Sequence, residues 1–479
     1  MNSTNLSTSL CAALISSAFF FADPAAGAAK SATRTMRVDY IHTGNAHQEM
    51  FALDRLVIEP LAWPGDPAKA IDDTNLGKYR FQVFDRATQR VIYARGYSSI
   101  YGEWETTGEA AIDNRAFSES LRFPLPEGPV RIAIEKRDRA NDFREVWSFV
   151  VDPHDMQIDD ARPASAGPLI ALQESGAPED KVDFLILGDG YTADERKKCD
   201  SDERRLMNIL FESEPFKSRR ADFNVWGLCP AAGESGISRP SLGVHKRSPV
   251  GATYDAFGSE RYVLTFDNRA FRDLASQAPY EFVEIVTNTN TYGGGGIFGL
   301  YSTVAADSLW APYVFVHEFG HHFAGLADEY FTSDVSYKPP TERFEPWEPN
   351  VTAFLDPEHL KWKDLVNRGA PIPTPWDEDG FVARERKIQA ERRKIRAEKK
   401  PESAMDALFT RERDEMEKRL GGDPRARHVG LFEGANYEAK GYYRPQMDCI
   451  MFTRDRVPFC AVCRRAIDRV IDLYARPAR

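Results

Sequence analysis

Across its 479 residues the chain has six cysteines and nine histidines, and beyond its N-terminus no apolar run long enough to cross a bilayer. Basic residues are outnumbered, 62 to 73, for a net charge of −11. That balance argues against nucleic acid as a partner and fits protein or peptide substrates better. Gly293-Gly294-Gly295-Gly296 lacks the Lys-Ser/Thr of a phosphate loop and the strand-to-helix context of a dinucleotide site. It reads as a flexible turn leading into an edge strand over Ile297 to Val304, where an extended peptide could pair. The 42% hydrophobic content excludes wholesale disorder, and the length allows two or three domains.

The N-terminus carries an apolar stretch, Leu10 to Phe21, of the length of a signal-peptide core, though no basic residue precedes it. Small residues follow, and Ala26-Gly27-Ala28 marks a cleavage site. Residues 1–28 therefore read as a signal peptide, and the mature protein as exported, periplasmic or secreted, with no stable membrane insertion. Its removal leaves Cys199, Cys229, Cys449, Cys460 and Cys463. In an oxidising compartment the economical pairings are Cys199 with Cys229 and one bridge among the last three. Cys460-Ala461-Val462-Cys463 has the spacing of half a structural zinc site, but a second matching pair is absent.

Residues 36–152 read as an all-β sandwich. Alternating or β-branched runs (Phe51 to Ile58, Tyr79 to Phe84, Val91 to Tyr93, Val130 to Glu135, Val146 to Val151) are separated by turn clusters such as Pro126-Glu127-Gly128-Pro129. The aromatics of Tyr101-Gly102-Glu103-Trp104 fit packing at a sheet edge. Residues 153–177, rich in Pro, Ala, Ser and Gly, read as a linker. From 178 to 479 the pattern alternates: a buried strand at Lys181 to Gly190, a helix at Thr192 to Glu214, and strands at Asp222 to Leu228 and Glu281 to Thr287. This implies an α/β or α+β domain. Residues 382–420, dense in charge of both signs and broken near Pro401, read as a solvated helical hairpin inserted in it.

The chemistry concentrates at His317-Glu318-Phe319-Gly320-His321. On a helix, residues four apart share a face, so His317 and His321 can ligate one zinc ion while Glu318 lies beside the water that the ion activates. The ion lowers the pKa of that water and polarises a carbonyl, and the carboxylate moves the proton. A catalytic zinc needs a third protein ligand. After Gly325, where the helix can end, come Asp328 and Glu329; Asp328 is the first choice and Glu329 the second. His322 points about a quarter-turn away from His321 and is a poor partner. Met451 is the candidate for an apolar, polarizable floor beneath the metal. Tyr442 or Tyr443 could meet a developing oxyanion, but plain packing explains either one better.

Taken together, these residues resemble the M64 metallopeptidases, the family named for the bacterial IgA peptidase. The resemblance runs through Asp72 to Tyr79, Tyr101 to Thr107, Gly188 to Thr192, His317 to Tyr330, Gly430 to Ala435, Tyr443-Arg444-Pro445, Cys449-x-Met451 and Phe459-Cys460-x-x-Cys463. It implies a metzincin-like zinc peptidase domain behind an N-terminal β-sandwich, with His317 and His321 as ligands, Glu318 as base and Met451 in the Met-turn. The broader metzincin pattern would put glycine at Ala324 and the third ligand at Ala327, whereas here Gly325 and Asp328 come one residue later. The expected function is an exported zinc metalloendopeptidase. The alternatives are a zinc amidase or carboxypeptidase acting on cell-wall peptides, and a surface-binding protein with a vestigial zinc site.

Overall fold

The computed structural model describes residues 33–332 and 342–476, so the expected signal peptide lies outside the described residues. The N-terminal part is two antiparallel sheets. β1 (Arg34–Gly44) is flanked by β2 (Glu49–Ala62) and, later in the chain, β5 (Arg115–Pro124). The second sheet has the order β4-β3-β6-β7, from β3 (Tyr79–Asp85), β4 (Val91–Tyr97), β6 (Val130–Arg137) and β7 (Phe143–Val151). Every second residue points inward: Met36, Val38 and Tyr40 of β1 meet Phe81 and Val83 of β3 and Ile132 and Ile134 of β6 in one core. Between β4 and β5 the short helix α1 (Ile100–Trp104) starts at Ser99, whose hydroxyl accepts the Gly102 amide.

The segment read as a linker ends in a strand, β8 (Ile170–Gln173), which pairs antiparallel to β10 (Phe223–Leu228). With β9 (Val182–Asp189), β13 (Phe282–Thr287), β14 (Gly294–Ile297) and β15 (Tyr301–Ala305) these form one sheet of order β14-β15-β13-β9-β10-β8. Its four central strands are parallel and both edges antiparallel. A parallel sheet needs cover on both faces, and β9 shows how it is provided. Phe184 and Ile186 face α2 (Arg196–Leu210), α4 (Ala311–Ala324) and α7 (Ala461–Tyr474). Leu185 and Leu187 face α3 (Asn268–Ala275) together with Ile100, Tyr101, Trp104 and Phe117 of the N-terminal part. Tyr101 and Trp104 are thus wholly buried where the two parts meet, not at a free sheet edge. Arg122 crosses the same boundary, pairing with Glu59 and donating to the Tyr280 carbonyl.

The glycine run departs from the expected turn. Gly294 to Gly296 are themselves in the edge strand β14, and Ile297 to Val304 is broken by a turn at Phe298-Gly299-Leu300 before the internal strand β15. The reason is steric. A Cβ on Gly296 would stand 2.3 Å from the Glu318 carbonyl oxygen and one on Gly294 2.5 Å from Val314 Cγ1, so only glycine lets α4 lie this close to the sheet. Part of the outer edge is taken: Gly294 bonds the Arg261 carbonyl and the Val263 amide, just before the short pair β11 (Ala252–Thr253) and β12 (Leu264–Thr265).

The charged segment does form a hairpin, α5 (Glu378–Ala397) and α6 (Glu402–Gly421), broken at Pro401. It is not simply solvated. Phe381, Ile388 and Ile395 of α5 and Met405, Leu408, Phe409, Met416 and Leu420 of α6 are buried in the main core. Phe381 stacks on Phe452, and Phe409 meets Tyr292 and Trp310 edge-on. The chain closes with the hairpin β16 (Phe432–Ala435) and β17 (Glu438–Arg444) and then α7. Cys199 and Cys229 form a disulfide between α2 and the end of β10, as expected. The expected bridge among the last three cysteines is absent: Cys449, Cys460 and Cys463 are buried free thiols. No helix among the described residues is long and apolar enough to cross a membrane.

Candidate metal centre

α4 begins with Pro312 in its first turn, where a missing amide costs no helical bond. It ends at Gly325 in the left-handed region (φ 58°), with the Gly325 and Leu326 amides closing onto the His321 and Gly320 carbonyls. That reversal carries the chain back under the helix and sets Asp328 against the histidine face. His317 Nε2 and His321 Nε2 stand 3.0 and 3.3 Å from Asp328 Oδ1 and 3.2 Å from each other.

The other ring nitrogens decide what this triangle can hold. His317 Nδ1 lies 2.9 Å from the Ile450 carbonyl, and His321 Nδ1 lies 2.5 Å from the Leu326 carbonyl. A carbonyl only accepts, so each Nδ1 carries a proton, and in the neutral ring each Nε2 presents a lone pair. With both rings neutral, two lone pairs and a buried carboxylate oxygen therefore converge on one point. A small cation satisfies that arrangement, since ligands about 2.0–2.1 Å from a tetrahedral ion lie about 3.3 Å apart. The chemistry of the donor set fits a divalent metal.

Electrostatics agree. Burial pushes Asp328 up, but His321 and His317 override it and leave the carboxyl well below its ordinary range. Burial works against a charged His321, yet Asp328 and then Glu318 lift it to about 9, so this site attracts positive charge. Burial also raises Glu318, only partly opposed by His317 and His321, which favours proton uptake at that carboxylate.

The structure brings together most of the residues expected from the sequence. His317, His321 and Asp328 form the triangle, and Glu318 lines the same cleft as His317. Met451 lies fully buried beneath the helix: a Cβ on Gly320 would be 3.2 Å from its sulfur. Its turn also carries the Ile450 carbonyl that holds His317. Glu329 does not join the triangle; successive residues of an extended chain point oppositely, and its carboxylate accepts from Asn350 Nδ2 at 2.9 Å. His322 is buried on the sheet side, accepting from the Val283 amide and donating to the Ile297 carbonyl, and burial pushes it down to about 3. Tyr442 and Tyr443 lie elsewhere: the former bonds the Phe344 amide through its hydroxyl, and the latter pairs with Thr352 through its backbone.

Three neighbours were not foreseen. Tyr437 donates its hydroxyl to Asp328 Oδ2 at 2.5 Å from the two-residue turn Asn436-Tyr437, both at positive φ, that joins β16 to β17. Tyr330 and Arg261 also line the cleft, with Arg261 Nη2 3.2 Å from the Tyr330 hydroxyl. A polar residue two positions beyond a ligand is a signal that could have identified Tyr330. Nothing local marks Arg261 or Tyr437. The far wall comes from the helical hairpin through Phe381, Glu385, Glu412 and Met416.

Comparison with known families gives two matches. The profile described as IgA Peptidase M64 matches residues 170–471, beginning at β8, and the one described as Peptidase M64 N-terminus matches residues 29–148. No curated protein matches the chain. The matched peptidase region includes every residue of the triangle, and membership in a metallopeptidase family implies a metal cofactor. The chain belongs to the M64 peptidase family, with that family's N-terminal and peptidase domains in the same order.

Proposed function

We propose that the protein is an exported, zinc-dependent endopeptidase of metzincin-like design, with a β-sandwich domain over residues 36–152 ahead of the catalytic domain. The observation that carries this reading is the convergence of His317 Nε2, His321 Nε2 and Asp328 Oδ1 within 3.0–3.3 Å of one another. Two imidazoles and one carboxylate are a donor set suited to catalytic zinc, which when bound supplies Lewis acidity to the scissile carbonyl and to the attacking water.

This chain's residues do the rest. Glu318 takes the proton of the attacking water and delivers it to the leaving amine, a role its raised proton affinity supports. Tyr330, steadied by Arg261, donates toward the oxygen on which negative charge develops. Tyr437 holds the second oxygen of Asp328, and Met451 provides the apolar floor. An extended substrate lies along β14 beyond the Arg261–Val263 contact, where the outward backbone of Gly296 can pair with it. Such a strand can continue past the site in both directions, which favours internal cleavage.

The test is Glu318→Gln in the full mature chain. We expect metal content unchanged and cleavage of unfolded casein reduced about 10²–10⁴-fold. Equal turnover by parent and variant would overturn the assignment of the base.

A further inference from the structure

Beside the turn that carries Met451 lies a second cluster that the proposed reaction does not use. Cys449, Cys460, Cys463 and Glu329 are all buried, and one ligand atom from each lies within 4.8 Å of the others. We infer that these four residues form a second metal site, structural in role, which takes a zinc ion through three thiolates and one carboxylate.

Distances carry the argument first. Cys449 Sγ and Cys463 Sγ are 3.9 Å apart, and Glu329 Oε1 is 3.4 Å from Cys463 Sγ and 3.9 Å from Cys460 Sγ. Around a tetrahedral zinc, with Zn–S of about 2.3 Å and Zn–O of about 2.0 Å, sulfurs lie about 3.8 Å apart and sulfur and oxygen about 3.5 Å apart. The three measured separations lie within about 0.4 Å of those values, and all four atoms lie within 4.8 Å of one another.

Its surroundings are built for anionic sulfur. Cys460 caps the N-terminus of α7; its amide donates to Cys449 Sγ at 3.2 Å, and the Cys463 amide donates to Cys460 Sγ at 3.4 Å. Glu329 Oε2 is buried without a hydrogen-bond partner, an expensive condition for a charged carboxylate that a cation at Oε1 eases through its charge. The fully buried Arg444 offsets part of the remaining negative charge. A disulfide cannot serve all three thiols. Binding releases the three thiol protons and forms three Zn–S bonds and one Zn–O bond without any redox change.

The position gives the site its purpose. Glu329 follows Asp328, and its amide donates to the Met451 carbonyl at 2.8 Å; Cys449 precedes Ile450, whose carbonyl holds His317. One ion would pin the Asp328 segment, the turn beneath the histidines and the start of α7 to each other. It would act as a staple under the catalytic centre rather than as part of the chemistry.

The inference is independent of the catalytic reading, and the test separates them. In a His317→Ala/His321→Ala double variant of the full chain the cleft triangle is gone. We expect about one zinc per chain to remain, with X-ray absorption showing sulfur neighbours at about 2.3 Å. Three thiols should become titratable only after chelation in denaturant. In the parent we expect about two zinc per chain, and in Cys460→Ser/Cys463→Ser about one, with a lowered melting temperature. If the serine variant fails to fold, the histidine variant still decides. A double-histidine variant without zinc, one whose zinc has only light-atom neighbours, or a chain two hydrogens lighter than the Cys199–Cys229 disulfide alone accounts for would each overturn the proposal.

Discussion

At the scale of single residues, second partners settle roles that residue type leaves open. His317, His321 and His322 are alike in sequence; only the carbonyls facing Nδ1 of the first two, and the amide and carbonyl on either side of the third, separate the proposed ligands from a core histidine. The N-terminal domain shows the same logic in His42, stacked between Phe51 and Tyr101 and held by Glu119 and Glu49. Burial works against its charge, but Glu119 and Glu49 prevail and raise it above 6.5. Burial likewise pushes Glu49 up, but His42 and Lys136 bring it from 4.5 down to about 2. A raised histidine stabilises the fold below its unfolded value and loses that contribution as pH rises through its folded value. A depressed carboxylate contributes above its unfolded value and loses the contribution as pH falls toward about 2. Both terms are full only between 4.5 and 6.5. Denaturation of Glu49→Gln against the parent should show a loss on the order of 2 kcal/mol in that window, shrinking toward pH 8 and toward pH 3. A loss independent of pH would contradict the charged pairing.

What was legible at this scale follows range. The histidine spacing, Glu318 and the helix-ending Gly325 are local, and they stand where the sequence puts them. Tyr437 reaches Asp328 across 109 positions through a turn that lacks the usual Asn-Gly signature, and no local pattern encodes that. Asp328 and Glu329 are adjacent carboxylates that the sequence ranks without separating, and the geometry divides them between two clusters.

Among elements, the apolar runs were the readable part: β9, β10 and β13 are buried on both faces and announce themselves by composition. Two elements were misread for physical reasons. Glycine disfavours strands in general, so a run of four reads as a turn; here it is required because α4 lies against β14. The hairpin's charge hid a stripe at Phe381, Glu385, Ile388, Arg392 and Ile395, the three- and four-residue spacing of a buried helix face. The glycine account predicts that Gly296→Ala, whose Cβ meets the Glu318 backbone, costs about 1–3 kcal/mol and lowers activity more than 10-fold. Gly128→Ala, with nothing within 4 Å, serves as the control and should change neither. Equal denaturation midpoints for the two would contradict the close approach.

For the whole molecule, the N-terminal domain is part of the catalytic domain's core. Ile100, Tyr101, Trp104 and Phe117 cover the sheet face opposite α4, and the described residues form one compact unit. The prediction is a single cooperative unfolding transition in calorimetry, with Trp104→Ala lowering the stability of the whole by about 3–5 kcal/mol. Two separated transitions, with the substitution moving only one, would mean that the domains fold independently. The domain order was legible from the change in pattern beyond residues 153–177; the shared core was not, because it depends on faces meeting across distant sequence.

The central claim is that one ion sits among His317, His321 and Asp328 with Glu318 beside it. Diffraction from the mature chain, collected on both sides of the zinc absorption edge, tests it most directly. The account predicts an anomalous peak about 2.0–2.1 Å from His317 Nε2, His321 Nε2 and an Asp328 oxygen. No peak at that triangle in protein purified without chelators, or one ligated there by Glu329 instead of Asp328, would contradict it.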